Sequence, residues 1–554
     1  MVQRHKLIFL ATALLTLVAC RKESIRRPGG GGSFSLKTLT IDTTHAAPYY
    51  GISLNPSIKV QFTAPVNRGS ALNDLQLRSV PGTIISTTQT YENGDSEVTL
   101  IPANPLFPIT GYNLYFGSGM KSSNGDSLTK TPGTLEFITT IDTTDKFPRI
   151  SDSSLLTLVE QQTFKYFYDF GHPVSGLARE RNTSGDLVTT GGSGFGVMAI
   201  LVGIQRNFIT RTEGMARISE MVSFLSDSAK RYHGAFPHWM SGSSGATIPF
   251  STQDDGADLV ETSYLMEGLL CARQYFNSAT DSGEIHLRTA INALWNGVDW
   301  NWFRQGNQNT LFWHWSPDFG WSSNQQINGW NEALITYVLA ASASTDSIPK
   351  AVYDQGWARN GGIRNGNNYY GVQLPLGPDL GGPLFFAHYS FLGLDPLGLS
   401  DAYANYWDQD TAHAQINYRY CVANPAHYNG YGPACWGLTA SDDNFTGYSA
   451  HSPTNDLGVI TPTAAISSLP YTPVESMNAL RFFYYKLGNK IWGSYGFVDA
   501  FNLTQIWFDN QFLAIDQGPE IVMIENYRSQ LLWNLLMSCP EVQRGLKQLG
   551  FQEP

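Results

Sequence analysis

Four carboxylates, Asp254, Asp255, Asp258 and Glu261, crowd into one short run of the chain, Gln253 to Glu261. On a helix Asp258 and Glu261, three residues apart, share a face. Asp254 or Asp255 just ahead of them can cap the first turn by accepting from its free N–H groups. A carboxylate cluster facing a cleft is what acid/base cleavage of a glycosidic bond needs, one acid to protonate the leaving oxygen and one base to activate water. The competing reading is a capped, solvated helix start, and the acidic run alone does not separate the two.

The elements that would hold these acids follow from composition and periodicity. At 554 residues the chain exceeds one ordinary core, so two domains are expected. A net charge of -11 with 15% charged residues leaves no basic stripe for phosphates, which excludes nucleic acid as a partner. All 14 Trp lie between Trp239 and Trp533, so aromatic surface for ligand stacking belongs to the C-terminal part. From 36 to 144, Ile58, Val60 and Phe62 alternate with polar residues, as do Tyr112, Leu114 and Phe116. With Asn93-Gly94 and Asn124-Gly125 as turns, this predicts an all-β sandwich. Beyond residue 150 the apolar period becomes helical. Helices are expected from Leu156 to Phe170 and near 192–208, 211–230, 258–276, 283–298, 331–343, 397–412, 473–487, 519–538 and 541–549. Long aromatic, Gly-rich loops between them are the natural place for a site, and many helices without convincing strands point to an all-α (α/α)6 barrel over 150–554.

The first 20 residues read as an export signal. Arg4, His5 and Lys6 precede an apolar run from Leu7 to Ala19 that is short for a membrane span. Leu17-Val18-Ala19-Cys20 resembles a lipobox, with Cys20 as the lipidated residue, and residues 21–35 form a Gly-rich tether. This places the protein in the periplasm, lipid-anchored to the outer membrane, with cell-surface exposure as the variant; the anchor is its one membrane contact. In that oxidising compartment Cys421 and Cys435, flanking a Gly- and Asn-rich loop, are expected to form a disulfide worth roughly 3 kcal/mol. No CxxC or HExxH spacing suggests a metal, so neither metal nor cofactor is expected, and the chain is read as a monomer. The run Gly191 to Gly196 lacks the Lys-Ser/Thr of a phosphate loop and reads as a tight start to a helix.

Several ordered motifs carry a resemblance. Gly176-Leu177-Ala178-Arg179-Glu180-Arg181, His233-Gly234-Ala235-Phe236-Pro237-His238-Trp239, the 253–261 run, Trp313-His314-Trp315-Ser316-Pro317, Gly329-Trp330-Asn331-Glu332-Ala333-Leu334, Gly381 to Tyr389, Cys435 to Asp442 and Ala514 to Pro519 together resemble the glycoamylase-type domain of glycoside hydrolase family 144. The strand order ahead of it is similar to a bacterial Ig-like domain. The resemblance implies an (α/α)6 barrel, a polysaccharide or oligosaccharide substrate and hydrolysis of β-1,2-glucan to sophorose or short sophorooligosaccharides with inversion. A transglycosylase on the same scaffold and a non-catalytic glycan-binding lipoprotein are the alternatives.

Beside that resemblance the residues suggest roles. An inverting pair leaves room for water between its carboxyls, which two acids on different loops satisfy better than two neighbours on one helix. Glu332, following Trp330-Asn331, is the candidate acid: indole burial would raise its pKa, while a nearby helix start would favour its ionised form. Asp516 is the candidate base, expected just outside a helix that begins at Pro519. Asp258 and Glu261 are the next catalytic candidates. Asp254, Arg179, His238, Trp239, Trp313, His314, Trp330, His388 and Tyr389 are the candidate substrate contacts, the indoles by stacking on sugar faces and the polar groups by hydrogen bonds to hydroxyls.

Overall fold

The computed structural model describes residues 33–130 and 133–552. Cys20, the lipobox and most of the tether lie outside the described residues. The N-terminal segment is a sandwich of two sheets. Strands β1 (Leu36–Ile41), β2 (Tyr49–Ile52), β3 (Ile58–Phe62), β4 (Leu75–Ser79), β5 (Ile84–Ile85), β6 (Thr87–Glu92), β7 (Glu97–Pro102), β8 (Gly111–Phe116) and β9 (Thr134–Thr139) are joined by one short helix, α1 (Arg68–Asp74). They pair in the orders β1-β3-β7-β6 and β2-β9-β8-β4-β5. The alternation forecast for β3 and β8 is what fills the space between the sheets: Ile58, Val60, Phe62, Tyr112, Leu114 and Phe116 are all buried.

A second hydrophobic core extends from Leu155 to Phe551 and is built from helices. These are α2 (Asp152–Tyr168), α3 (Thr190–Gln205), α4 (Arg211–Asp227), α5 (Leu259–Tyr275), α6 (Ser282–Asn296), α7 (Leu334–Ser342), α8 (Lys350–Val352), α9 (Tyr406–Ala423), α10 (Pro462–Ser467), α11 (Pro473–Ile491), α12 (Ala514–Ser529), α13 (Leu531–Met537) and α14 (Pro540–Leu549). Two kinds of helix alternate along the chain. α3, α5, α7 and α10 are buried almost all round, and α12 is buried through its first four turns, whereas α4, α6, α11 and α14 bury one stripe and expose the other. α3 touches both α5 and α12, α5 touches α7, and α10 touches α12.

The glycine run at 191–196 explains how α3 can lie between two neighbours. A Cβ on Gly194 would stand 2.1 Å from the carbonyl oxygen of Tyr264 on α5, and one on Gly268 would stand 2.2 Å from that of Gly194. On the other side a Cβ on Gly518 of α12 would meet the Phe195 side chain at 2.5 Å. The run is thus the tight start of a helix that its spacing suggested, its first two turns stripped of side chains for close approach, and a short strand, Leu187–Thr189, precedes it.

Three expectations are corrected. The helix forecast near 397–412 is displaced to 406–423, where Asn405 caps it by accepting from the N–H of Asp408. Gly398, at φ +77, and Pro396 hold the stretch before it in turns. The helix buries Gln409, Asp410, His413 and Asn417 beside Tyr406, Ile416 and Tyr420, so polar residues interrupt the apolar period of its inward face. The helical region also holds short strand ladders, among them Ala257–Asp258 against His314–Trp315. Finally, Cys421 and Cys435 are free thiols. Both are packed into the helical core, where burial pushes the Cys421 and Cys435 thiols up, so apolar packing rather than a covalent link secures the intervening loop.

Candidate active site

The chain ends of α5, α7 and α12 open into one cavity of about 460 Å3, within the range of small-ligand sites. Its wall includes Glu180, Arg181, His238, Trp239, Phe250, Glu261, Tyr264, Trp313, Glu332, Phe385, Tyr389 and Tyr448. Of the sequence candidates, Glu332, Glu261, His238, Trp239, Trp313 and Tyr389 thus come together. A much smaller void of about 10 Å3, roughly the room one water needs, lies directly behind, sharing Phe385, Tyr389 and Ile515 with the cavity and reaching Asp516 and His388.

The acidic run supports this wall in a different way from the one its spacing suggests. The cap of α5 is Asp258, not Asp254 or Asp255: Asp258 Oδ1 accepts from the N–H groups of Val260 and Glu261 at 3.0 and 2.9 Å. Its other oxygen lies 2.9 Å from His238 Nδ1 and 3.6 Å from His314 Nδ1. Asp258 is fully buried, and Asp254 sits behind the same two histidines, 3.4 Å from His314 Nδ1. Of the run's four carboxylates only Glu261 lines the cavity, with Oε2 accepting from the Gly191 N–H at 2.7 Å. The absence of a side chain at Gly191 makes that possible, since a Cβ there would fall 2.6 Å from the same oxygen. Burial opposes a charge on His238, but Glu261, Asp258 and Asp254 outweigh it and push His238 up to about 9. The imidazole on the cavity wall is therefore a cation at neutral pH. Burial also raises Glu261, opposed by His238.

Glu332 comes from the turn into α7. Asn331 Oδ1 accepts from the Ala333 N–H at 2.9 Å, and the Glu332 carbonyl accepts from the hydroxyls of Ser390 and Tyr264. With its backbone pinned, the side chain points into the cavity, where burial, helped by the charges of Glu261 and Asp258, raises its carboxyl to about 7. The burial does not come from Trp330. That indole is 4% exposed and packs against Phe391, Tyr406 and Trp357, so it is a core residue.

Asp516 is the third residue of α12, which starts at Ala514, and Pro519 is inside the helix rather than at its first position. Asp516 is 5% exposed, with Oδ2 lacking any hydrogen-bond partner. Burial raises its carboxyl to about 7, against the lowering effects of Asp499 and Arg181. His388 donates to or accepts from Ser468 Oγ at 3.0 Å and is driven by burial down to about 3, hence neutral. Arg179 does not reach the cavity: its guanidinium lies 4.5 Å over the Phe170 ring and donates to the Phe170 carbonyl. His314 stands behind the wall beside Asp254 and Asp258.

Sequence reasoning overlooked Glu180, Arg181, Phe250 and Tyr448, together with the acids behind them. Arg181 is bound by Glu180 at 2.9 Å and by Asp442 at 2.8 Å. Two arginines stand two apart in Arg179-Glu180-Arg181, and nothing local says which of them faces a cavity. Phe250 is half exposed and packs tilted against His238, ring centroids 4.2 Å apart, a loop contact that no periodicity marks.

Among the described residues, two groupings bring three ligand-type atoms within 4.8 Å of one another: His238, Asp254 and Asp258, and Asp442, Asp499 and Asp509. In the first, Asp258 is committed to the helix cap and to the cationic His238. In the second, Asp442 is bound to Arg181 and Asp499 Oδ2 to a backbone N–H. Neither is read as a metal centre.

A family model described as "Putative glucoamylase" matches residues 324–540, and one described as "Bacterial Ig-like domain" matches 38–139. An exo β-1,2-glucooligosaccharide sophorohydrolase of Parabacteroides distasonis is 47% identical over 423 residues, 72% of this chain and 58% of the relative, so the match spans less than two thirds of that enzyme. An endo-β-1,2-glucanase of Chitinophaga pinensis, solved with sophorotriose and glucose, is 52% identical with TM-score 0.71, covering 73% of this chain and 100% of that one. A β-1,2-glucanase structure from Parabacteroides distasonis is 37% identical with TM-score 0.70, covering 93% of this chain and 73% of that one.

Proposed function

The chain belongs to the glycoamylase-type family, glycoside hydrolase family 144, with an Ig-like domain ahead of its helical part, and from that premise we propose that it hydrolyses β-1,2-glucan to sophorose or short sophorooligosaccharides with inversion. The observation that carries the proposal is Glu332, a carboxyl held near neutrality on the wall of a cavity that also offers indoles to sugar rings. A carboxyl at about 7 keeps its proton at neutral pH in a useful fraction and can donate it to the leaving oxygen. Asp516 is the base of the proposal. It borders a chamber of about one water next to the cavity, and deprotonated it can take a proton from that water as the water attacks the anomeric carbon.

The cationic His238 and the pair Glu180–Arg181 serve to bind and orient hydroxyls, and Trp239, Trp313 and Tyr389 supply stacking surface. The alternation of buried and half-exposed helices, with α3 between α5 and α12, supports an (α/α)6 arrangement whose inner ends carry the cavity. We further propose that Cys20 is lipidated and anchors the protein in the periplasm. Labelled palmitate should enter the wild type and not Cys20→Ala.

The enzymatic proposal is tested by incubating linear β-1,2-glucan with wild type, Glu332→Gln and Asp516→Asn, and following products and the first-formed anomer by NMR. Sophorose-containing products of inverted configuration are expected from the wild type, with each variant slower by about 10^2-fold or more. Absence of new reducing ends from the wild type refutes the substrate. Normal rates in both variants refute the role assignment.

A further inference from the structure

Behind the cavity the carboxylates outnumber the cations. Glu180 and Asp442 hold Arg181, Asp499 and Asp509 crowd against Asp442, and Asp516 lies beside Asp499. Asp499 is the most enclosed of these acids, with no exposure. Its Oδ2 accepts from the Asp442 N–H at 2.6 Å, and its Oδ1 has no partner. The carboxyl of Asp499 lies at hydrogen-bonding distance from that of Asp516, whose Oδ2 is equally unpartnered. Two ionised carboxylates only accept, so buried in contact they repel, whereas one proton between them satisfies both.

The surroundings say which side keeps that proton. Asp516 is the third residue of α12, where the N-terminal end of the helix favours negative charge. Asp499 sits in a loop whose oxygens meet one backbone N–H and otherwise other acids. The remaining groups near Asp516 are the phenols Tyr166, Tyr389 and Tyr448, and Glu520, which accepts from Thr163. None of these supplies a second cation.

We propose that Asp499 is the positioning residue of Asp516: it holds a proton on the contact between the two carboxyls and by donating it keeps Asp516 ionised and aimed at the chamber behind the cavity. This rests on the reading of Asp516 as the base. Asp499 touches no substrate and acts only through its neighbour.

The test is the pH dependence of kcat on linear β-1,2-glucan for wild type, Asp499→Asn, Asp499→Ala and Asp516→Asn, with and without EDTA, each checked for folding by thermal unfolding. An amide donates a hydrogen bond as the protonated acid does, so Asp499→Asn should keep kcat within about threefold and leave the acid limb in place. Asp499→Ala removes the donor, and the acid limb should move up by about one pH unit, the size of a lost hydrogen bond to a charged group. EDTA should change nothing. A folded Asp499→Asn as inactive as Asp516→Asn, an unmoved limb in Asp499→Ala, or loss of activity in EDTA each overturns the proposal while leaving Asp516 as the base. A fully active Asp516→Asn overturns the base assignment and this inference with it.

Discussion

Replacing Asp258 by Asn separates two jobs that one carboxylate performs. Asn caps helices about as well as Asp, so the bonds to the N–H groups of Val260 and Glu261 survive. What disappears is the charge facing His238 at 2.9 Å. His238 rises from its ordinary 6.5 to about 9 because Glu261, Asp258 and Asp254 together overcome burial. A rise of that size corresponds to about 3 kcal/mol of folding stability. A group whose folded pKa lies above its unfolded one stabilises fully below the unfolded value, here 6.5, and loses that contribution as pH climbs through about 9. Asp258 supplies one of three charges and the only hydrogen bond, so Asp258→Asn should remove about 1–2 kcal/mol at pH 6. That amounts to a few degrees of melting temperature for a protein of this size. At pH 10 His238 is neutral in both proteins, and the gap should close. Melting curves of wild type and variant from pH 6 to 10 measure it. A gap that stays constant across that range would show that His238 is not the cation described, and the electrostatic account of this wall would fall.

Other outcomes follow from packing. Gly194→Ala must push α3 from α5, because its Cβ would meet the Tyr264 carbonyl at 2.1 Å; a loss of about 1–3 kcal/mol or more is expected in denaturant unfolding. Trp313→Ala should raise KM for glucan with little change in melting, since Trp313 lines the cavity. Trp330→Ala should destabilise by about 3–5 kcal/mol, since Trp330 is a core residue. Reductant should leave the melting temperature unchanged, because Cys421 and Cys435 are free; a drop on adding dithiothreitol would contradict this.

Legibility in the sequence followed the physics of burial. Strands such as β3 and β8 each put one face in water, so period two is written in them, and α4, α6 and α11 likewise show one apolar stripe. α9 was misplaced because its inward face mixes Tyr406, Ile416 and Tyr420 with Gln409, Asp410, His413 and Asn417, and the partners of Gln409, His413 and Asn417 are distant in sequence. In the acidic run Glu261 lines the cavity while Asp258 caps α5: a cap residue stands outside the helix, so the three-residue spacing does not align their side chains. Trp330 and Arg179 went the other way. Residue type suggested ligand contact, whereas indole and guanidinium are equally suited to packing on Phe391 and Phe170.

The small residues of α3 connect these observations. A helix carrying Gly at 191, 192, 194 and 196 has low intrinsic stability, and it persists because neighbours on both sides approach its backbone. That approach brings α5, with Glu261, and α12, with Asp516, against the same end of one helix. Gly191 goes further, since its bare N–H fixes the Glu261 carboxylate at the cavity wall. A larger residue there would both strike that carboxylate and separate α3 from Tyr264, which lines the cavity beside Glu332. The glycine run that opens α3 is thus a spacer that sets how closely α5 and α12 stand to it. In the proposed reaction the spacing of Glu332 and Asp516 decides whether water fits between them, and the glycine run, which seats α12 with Asp516 and Tyr264 beside Glu332, would act on it without touching substrate.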